Sequence, residues 1–207
     1  MFKFNKDSGQ AAKLLLVLAV VILVAIVITF LVIKMAEKPA EPVVTEEPAV
    51  PLPVYEQDLG NIKFIFISAR DLGKTLKSTD AVNDVYSSQK DVTTKEKFIE
   101  VNIGAKNMGK ENIENAAWSI GNIIDSEGRN FEALDDYKVN AWLPTINLCG
   151  SLLKPAFNPT SCIKMYEVAE KSNLAELKIE VKTGKDNAPT NYSAGKIDTA
   201  LIDLIVR

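Results

Sequence analysis

Twenty consecutive residues, 14–33, carry no charge and a single polar side chain, Thr29. Lys13 and Lys34 bracket the run. At about 1.5 Å rise per residue this is roughly 30 Å of helix, the thickness of a bilayer hydrocarbon core. A buried helix of a globular core usually keeps one polar face, and this run has none. A cleaved signal peptide has an apolar region of about 7–15 residues and then a small-residue cleavage site. Here the run is longer and ends in Lys34-Met35, with no cysteine after it to form a lipoprotein box. The sequence therefore predicts an uncleaved signal anchor that meets the lipid bilayer through residues 14–33.

Lysines near the ends of such a helix set its direction. The N-terminal side carries Lys3, Lys6 and Lys13; the distal side carries Lys34 and Lys38 and then turns acidic. Acidic residues count little in this rule, so the bias is modest. It places the N-terminus in the cytoplasm and the rest of the chain outside. No ionisable residue lies in the span, so nothing there suggests ion transport or a proton relay.

Residues 37–53 read EKPAEPVVTEEPAVPLP. Prolines this dense cannot continue a helix, and the composition cannot build a core. Polyproline II at about 3.1 Å per residue would let the segment act as a spacer of up to ~50 Å. An unstructured tether is the alternative. The expected organisation is a cytoplasmic segment 1–13, a transmembrane helix 14–34, a Pro/Glu-rich stalk 35–54 and an extracytoplasmic domain 55–207.

The outer segment is long enough for one domain with its own core. Its hydrophobic pattern is mostly period two, the signature of strands. Ile99, Val101, Ile103 and Ala105 alternate with Phe98, Glu100, Asn102 and Lys106. That strand ends at the turn signal Asn107-Met108-Gly109. Trp118, Ile120, Asn122 and Ile124 are expected on one face of a second strand, which leads into a hairpin connection over 125–131. Residues 62–68 are apolar on both faces and read as a central strand. Residues 162–168, 177–181 and 200–206 complete the strand-like runs. The stretches 71–97 and 132–141 read as loops or short helices. Short strands without interleaved long helices argue for an all-β antiparallel sandwich.

The segments FIEVNIGAKNMGKENIE, IIDSEGRNFEA, LLKPAFNPTSCIKMYEVAE and LAELKIEV resemble the telokin-like extracellular domains of bacterial and archaeal surface proteins and lipoproteins. The resemblance covers residues 60–183. It departs at Pro155-Ala156, where that family usually has proline then glycine, and at Ala169, where proline is common. Residues 184–207 look like an addition. The resemblance implies an immunoglobulin-like sandwich in an extracytoplasmic setting and no particular reaction.

Cys149 and Cys162 are the two cysteines. A disulfide between them would close a short loop and stabilise by about 3 kcal/mol in the chain-entropy model. An oxidising exterior favours the bond. Two buried thiols are the alternative.

The chain has no histidine. That removes Ser-His-Asp and Cys-His catalysis and histidine-ligated zinc or copper. Ser151-Leu152-Leu153-Lys154 and Lys182-Thr183-Gly184 fit the S-x-x-K and K-T-G motifs of penicillin-binding enzymes. Yet Pro155 disfavours the helix that S-x-x-K needs, and too few residues separate the two motifs. Asp125/Glu127 and Asp135-Asp136 offer carboxylates for calcium, but the spacing misses the EF-hand pattern and a solvated turn is the simpler reading. No catalytic, cofactor-binding or metal-binding residue is therefore assigned, and no cofactor is expected. Trp142, beside Leu143-Pro144, is a candidate exposed contact for a partner, but core packing is the favoured reading. Asn191-Tyr192-Ser193 fits the N-glycosylation sequon.

Net charge is −3 with both signs interleaved, and no basic patch carries interleaved aromatics, so nucleic acid is not an expected partner. The expected function is a non-catalytic binding or adhesion domain at the cell surface, recognising a protein or cell-envelope ligand. An accessory subunit of a membrane complex is the alternative, and an envelope enzyme ranks third.

Overall fold

A computed structural model of the chain describes residues 8–36, 52–83 and 89–207, with side chains along the first helix given for Lys13 and residues 15–31 and none for Asp136. Two compact units emerge, residues 1–50 and 51–207. Most of the expected stalk, 37–51, lies outside the described residues.

In the first unit a single helix, α1, spans Ser8–Ala36. It starts inside the expected N-terminal segment and ends beyond the expected span. Residues 8–13 contain good helix formers and no proline, so nothing stops the helix at Lys13. The described side chains of 15–31 are exposed on every side, at half to two-thirds of full exposure for the leucines and most of the valines and isoleucines. Thr29 bonds back to the Ala25 carbonyl, which satisfies its one polar group. Among the described residues no helix is long and apolar enough to cross a membrane. The sequence continues the uncharged run through Leu14 and through Val32-Ile33.

The second unit is two four-stranded antiparallel sheets. The strands are β1 (Glu56–Leu59), β2 (Ile62–Leu76), β3 (Val92–Asn107), β4 (Trp118–Ile124), β5 (Asn130–Phe131), β6 (Thr160–Val168), β7 (Lys178–Gly184) and β8 (Ile197–Asp203). Their orders are β1-β2-β3-β6 and β5-β4-β7-β8. The sandwich expected from the sequence is present, and residues 62–68 lie on a strand paired on both sides. It starts slightly before residue 55: Val54 exchanges bonds with Asp203, through the backbone N–H to Oδ2 at 2.6 Å and the carbonyl from the Asp203 N–H at 2.8 Å.

The inner faces form the main core. Ile99, Val101, Ile103 and Ala105 are fully buried, as their alternation predicts, opposite Ile179 and Val181. Phe64 meets Trp118 edge-on at 6.2 Å between ring centres. Each such side chain contributes about 1.5–3 kcal/mol by leaving water.

Two readings need correction. Asn122 and Ile124 do not share a face with Trp118 and Ile120, because a bulge between Ile120 and Ile123 shifts the β4–β7 register and turns Ile123 inward. The stretch 71–97 is not simply a loop or short helix: β2 runs on to Leu76 and β3 begins at Val92, and the described part of the connection includes a 3-10 turn at Ser78–Asp80. That extension builds a second cluster on the outer face of the first sheet. Leu76, Phe98 and Met165 are covered there by Val139, Ala141, Trp142 and Leu143. The segment 132–141 accordingly pairs Ala133 with Tyr166 and then forms a short helix, α2 (Asp136–Val139), capped by the Asp135 carboxylate.

Loop groups occupy the free edge of β6. The Asn147 side chain donates to the Ile163 carbonyl at 2.6 Å and accepts its N–H at 3.1 Å, as a neighbouring strand would. Leu134 N–H donates to the Met165 carbonyl. On the opposite side Val206 forms a parallel bridge to Ala69 of β2. Covered edges cannot recruit strands from other chains.

Candidate functional site

A cleft of about 280 Å³ between the β2 extension and the loop 77–82 brings polar groups together beside an apolar wall. Its apolar wall is Leu72, Leu76, Val82 and Trp142, and Arg70, Lys77, Asp80 and Glu100 supply its charges. Pairing of β2 with β3 sets Arg70 opposite Glu100. The guanidinium grips the carboxylate with two bonds, Nε to Oε1 at 2.9 Å and Nη2 to Oε2 at 2.8 Å. Those bonds push the Arg70 pKa further up, so it stays charged at any relevant pH. Alternation alone would put Glu100 in solvent. It is instead 7 % exposed, because the second cluster covers this end of the sheet. A carboxylate so placed depends on its partner, whose far side lies in solvent: without Arg70 the Glu100 charge would be left uncompensated.

Trp142 is 6 % exposed and forms part of the cleft wall. Its indole N–H donates to the Lys77 carbonyl at 2.8 Å, and the backbone N–H groups of Val82 and Asn83 both donate to Ala141. Of the two readings of Trp142, core packing holds and the exposed contact does not. The connection after β2 folds over the ring and hides it, leaving an edge in the cleft wall. Sequence alternation missed Arg70 and Glu100, whose pairing depends on a register that no local signal encodes.

The other expected site residues lie elsewhere. Cys149 and Cys162 form a disulfide, with Cα atoms 4.4 Å apart, joining the loop before β6 to the core-facing side of that strand. Asn191 sits in a short helix, α3 (Pro189–Ser193), and its amide donates to the Lys185 carbonyl. Ser151–Lys154 is not helical. Thr183 donates to Ala117, and a Cβ on Gly184 would run into the Ala188 carbonyl, so these two residues of the K-T-G tripeptide have structural reasons to be present.

Asp125 is fully engaged by its own hairpin and by Ser172. Oδ1 accepts the N–H groups of Glu127 and Arg129, and Oδ2 accepts from the Arg129 guanidinium and from Ser172. Burial pushes this carboxyl up, but the bonds from Arg129 and Ser172 and the Arg129 charge outweigh it and hold the pKa at about 2. No lone pair is left over for calcium. Among the described residues no group of three acidic or cysteine side chains is placed to hold a metal.

No family model and no curated protein matches the chain. Solved structures resemble it weakly. The yjhA protein of Bacillus subtilis is 11 % identical, with a TM-score of 0.44, over 72 % of this chain and 96 % of that one. A functionally unknown protein of Listeria monocytogenes EGD-e is 12 % identical, with a TM-score of 0.44, over 74 % and 82 %. A conserved hypothetical protein of Bacillus anthracis is 15 % identical, with a TM-score of 0.40, over 62 % and 87 %.

Proposed function

We propose that the chain is a single-pass membrane protein that holds an immunoglobulin-like, telokin-like β-sandwich outside the cytoplasm as a non-catalytic binding or adhesion module. One observation carries the reading. The described part of α1 presents leucine, valine and isoleucine in all directions, and such a helix needs lipid around it. The lysine bias supports the N-terminus as the cytoplasmic end, and the disulfide supports an oxidising compartment for the sandwich.

The immunoglobulin-like part of the proposal draws on connectivity. β3 crosses to β4 in the other sheet, β6 returns beside β3, and β7 returns beside β4. This is the pattern of strands B, C, E and F in that fold, and the buried Trp118 falls on the strand equivalent to C. The telokin-like part gains support at Ala156. Its φ of 63° is a backbone conformation suited to the glycine usual there in that family. The binding-module part draws on the cleft, which sets a fixed ion pair beside an apolar wall.

A second reading, an accessory subunit of a membrane complex, is favoured by a specific patch. Val54, Tyr55, Ile67 and Ile205 are each more than a third exposed, and they gather where the chain enters the sandwich. Alkaline carbonate extraction of membranes tests the anchor. The full chain should remain in the pellet, and a variant lacking residues 8–36 should be released. A photo-crosslinker placed at Val82 or at Ile67 then separates the two readings. Adducts at Val82 support the module, adducts at Ile67 support the subunit, and a chain released by carbonate contradicts both.

A further inference from the structure

We propose that the cleft between Arg70 and Trp142 binds an apolar carboxylate. The carboxylate would sit on the free edge of the Arg70 guanidinium with Lys77 beside it, and the hydrocarbon part would lie on Leu72, Leu76, Val82 and Trp142. The inference rests on the binding-module reading and names the ligand chemistry for that site.

Three observations combine. A guanidinium has five N–H donors, and Glu100 takes only two of them, through Nε and Nη2. Among the described residues Arg70 meets no other acceptor, and 60 % of its side chain is exposed. The Glu100 bonds fix the plane of the group, so the remaining donors are held in place at no further entropic cost. A planar fork of this kind matches a carboxylate in two-point fashion. Second, the Trp142 indole N–H is already used by the Lys77 carbonyl, so what the ring offers the cleft is apolar surface. Val82 extends that surface at 62 % exposure. Third, the volume of about 280 Å³ lies at the low end for ligand pockets and suits a fragment with one short branched chain. The Glu100 carboxylate does not compete for a cation, because Arg70 covers it.

An apolar carboxylate has two sources, a free short-chain acid and the C-terminal residue of a peptide. The test uses the full chain in detergent micelles, labelled with 15N, and follows the two indole N–H resonances. Trp142→Phe identifies the cleft signal, and the Trp118 signal, from the core, reports folding. The probes are 4-methylpentanoate, 4-methylpentanamide, and acetyl-Ala-Leu as free acid and as amide. The Trp142 signal should shift with at least one acid, and the matching amide should bind at least tenfold more weakly. A response to the small acid identifies a free-acid site; a response to the peptide acid alone identifies a C-terminus reader. Arg70→Leu with Glu100→Leu removes the pair without orphaning a buried charge, and should abolish the response while the Trp118 signal stays. Lys77→Gln should weaken it several-fold. Equal binding of acid and amide, no shift with any probe, or an unchanged response in the double variant would overturn the proposal. A failed titration leaves the carbonate result standing, and a chain released by carbonate leaves the titration interpretable, so the two failures are distinguishable.

Discussion

Asn187 accepts the backbone N–H of Asn61 through Oδ1 at 2.7 Å, and this bond ties the turn between β1 and β2 to the segment that follows β7 in the opposite sheet. The same amide donates to the Leu59 carbonyl at 3.1 Å and to Thr183 at 2.9 Å. One side chain thus satisfies groups from both layers of the sandwich. Its own backbone is left-handed, with φ of 56°, a conformation that asparagine tolerates better than most residues.

Removing this clamp separates the side chain from the backbone. Asn187→Ala should cost about 2–3 kcal/mol in urea unfolding, from unpaired buried groups plus strain at positive φ. Asn187→Gly should cost about 1 kcal/mol less than alanine, because it relieves the strain alone. Gly60→Ala should be comparably harmful, since its φ is +59° and its Cβ would fall 2.5 Å from Asn187 Oδ1. Equal stabilities for the alanine and glycine variants at 187 would show that the backbone term is absent.

Acid stability follows from Asp125. Its folded pKa of about 2 lies below the ordinary 3.8, so its contribution is fully present above about pH 4 and is lost as pH falls towards 2. Asp125→Asn should destabilise the protein at neutral pH and flatten the stability profile between pH 4 and 2. Equilibrium unfolding at several pH values checks both. A profile unchanged by the substitution would remove Asp125 from the acid response.

Reduction of Cys149–Cys162, or the double alanine variant, should lower stability by about 2–4 kcal/mol. The bonds from Asn147 to Ile163 persist, so the β6 edge should stay closed. Hydrogen exchange at Ile163 N–H reads this directly. Protection retained in the reduced protein is the expected result; protection lost would mean the disulfide alone seats the loop.

Ala156→Gly should raise stability by up to about 1 kcal/mol, the strain of a left-handed alanine less the entropy that glycine adds to the unfolded chain. A drop in the unfolding midpoint would contradict this.

Much of the sandwich was legible because its inner strands alternate cleanly, as Ile99 to Ala105 do over buried positions. The hairpin at Asp125 was legible from turn chemistry, and the Cys149–Cys162 bond from an even cysteine count and the expected oxidising side of the membrane. The bulge at Ile120/Ile123 was not, since a register shift leaves no periodic trace. Nor was the cleft. The residues after Asp71 look polar, and they become strand only because Leu76, Phe98 and Met165 find a second cover over the outer face. Core packing of Trp142 was legible, but what hides it was not, because it is a loop distant in sequence.

Labelling intact cells with a membrane-impermeant amine reagent tests the central claim most directly. Lys110, Lys171 and Lys185 are exposed on the sandwich, whereas Lys3 and Lys6 precede α1. The account predicts label on the first three and none on Lys3 or Lys6 until the cells are opened. Label on Lys3 and Lys6 with the sandwich lysines untouched would contradict it.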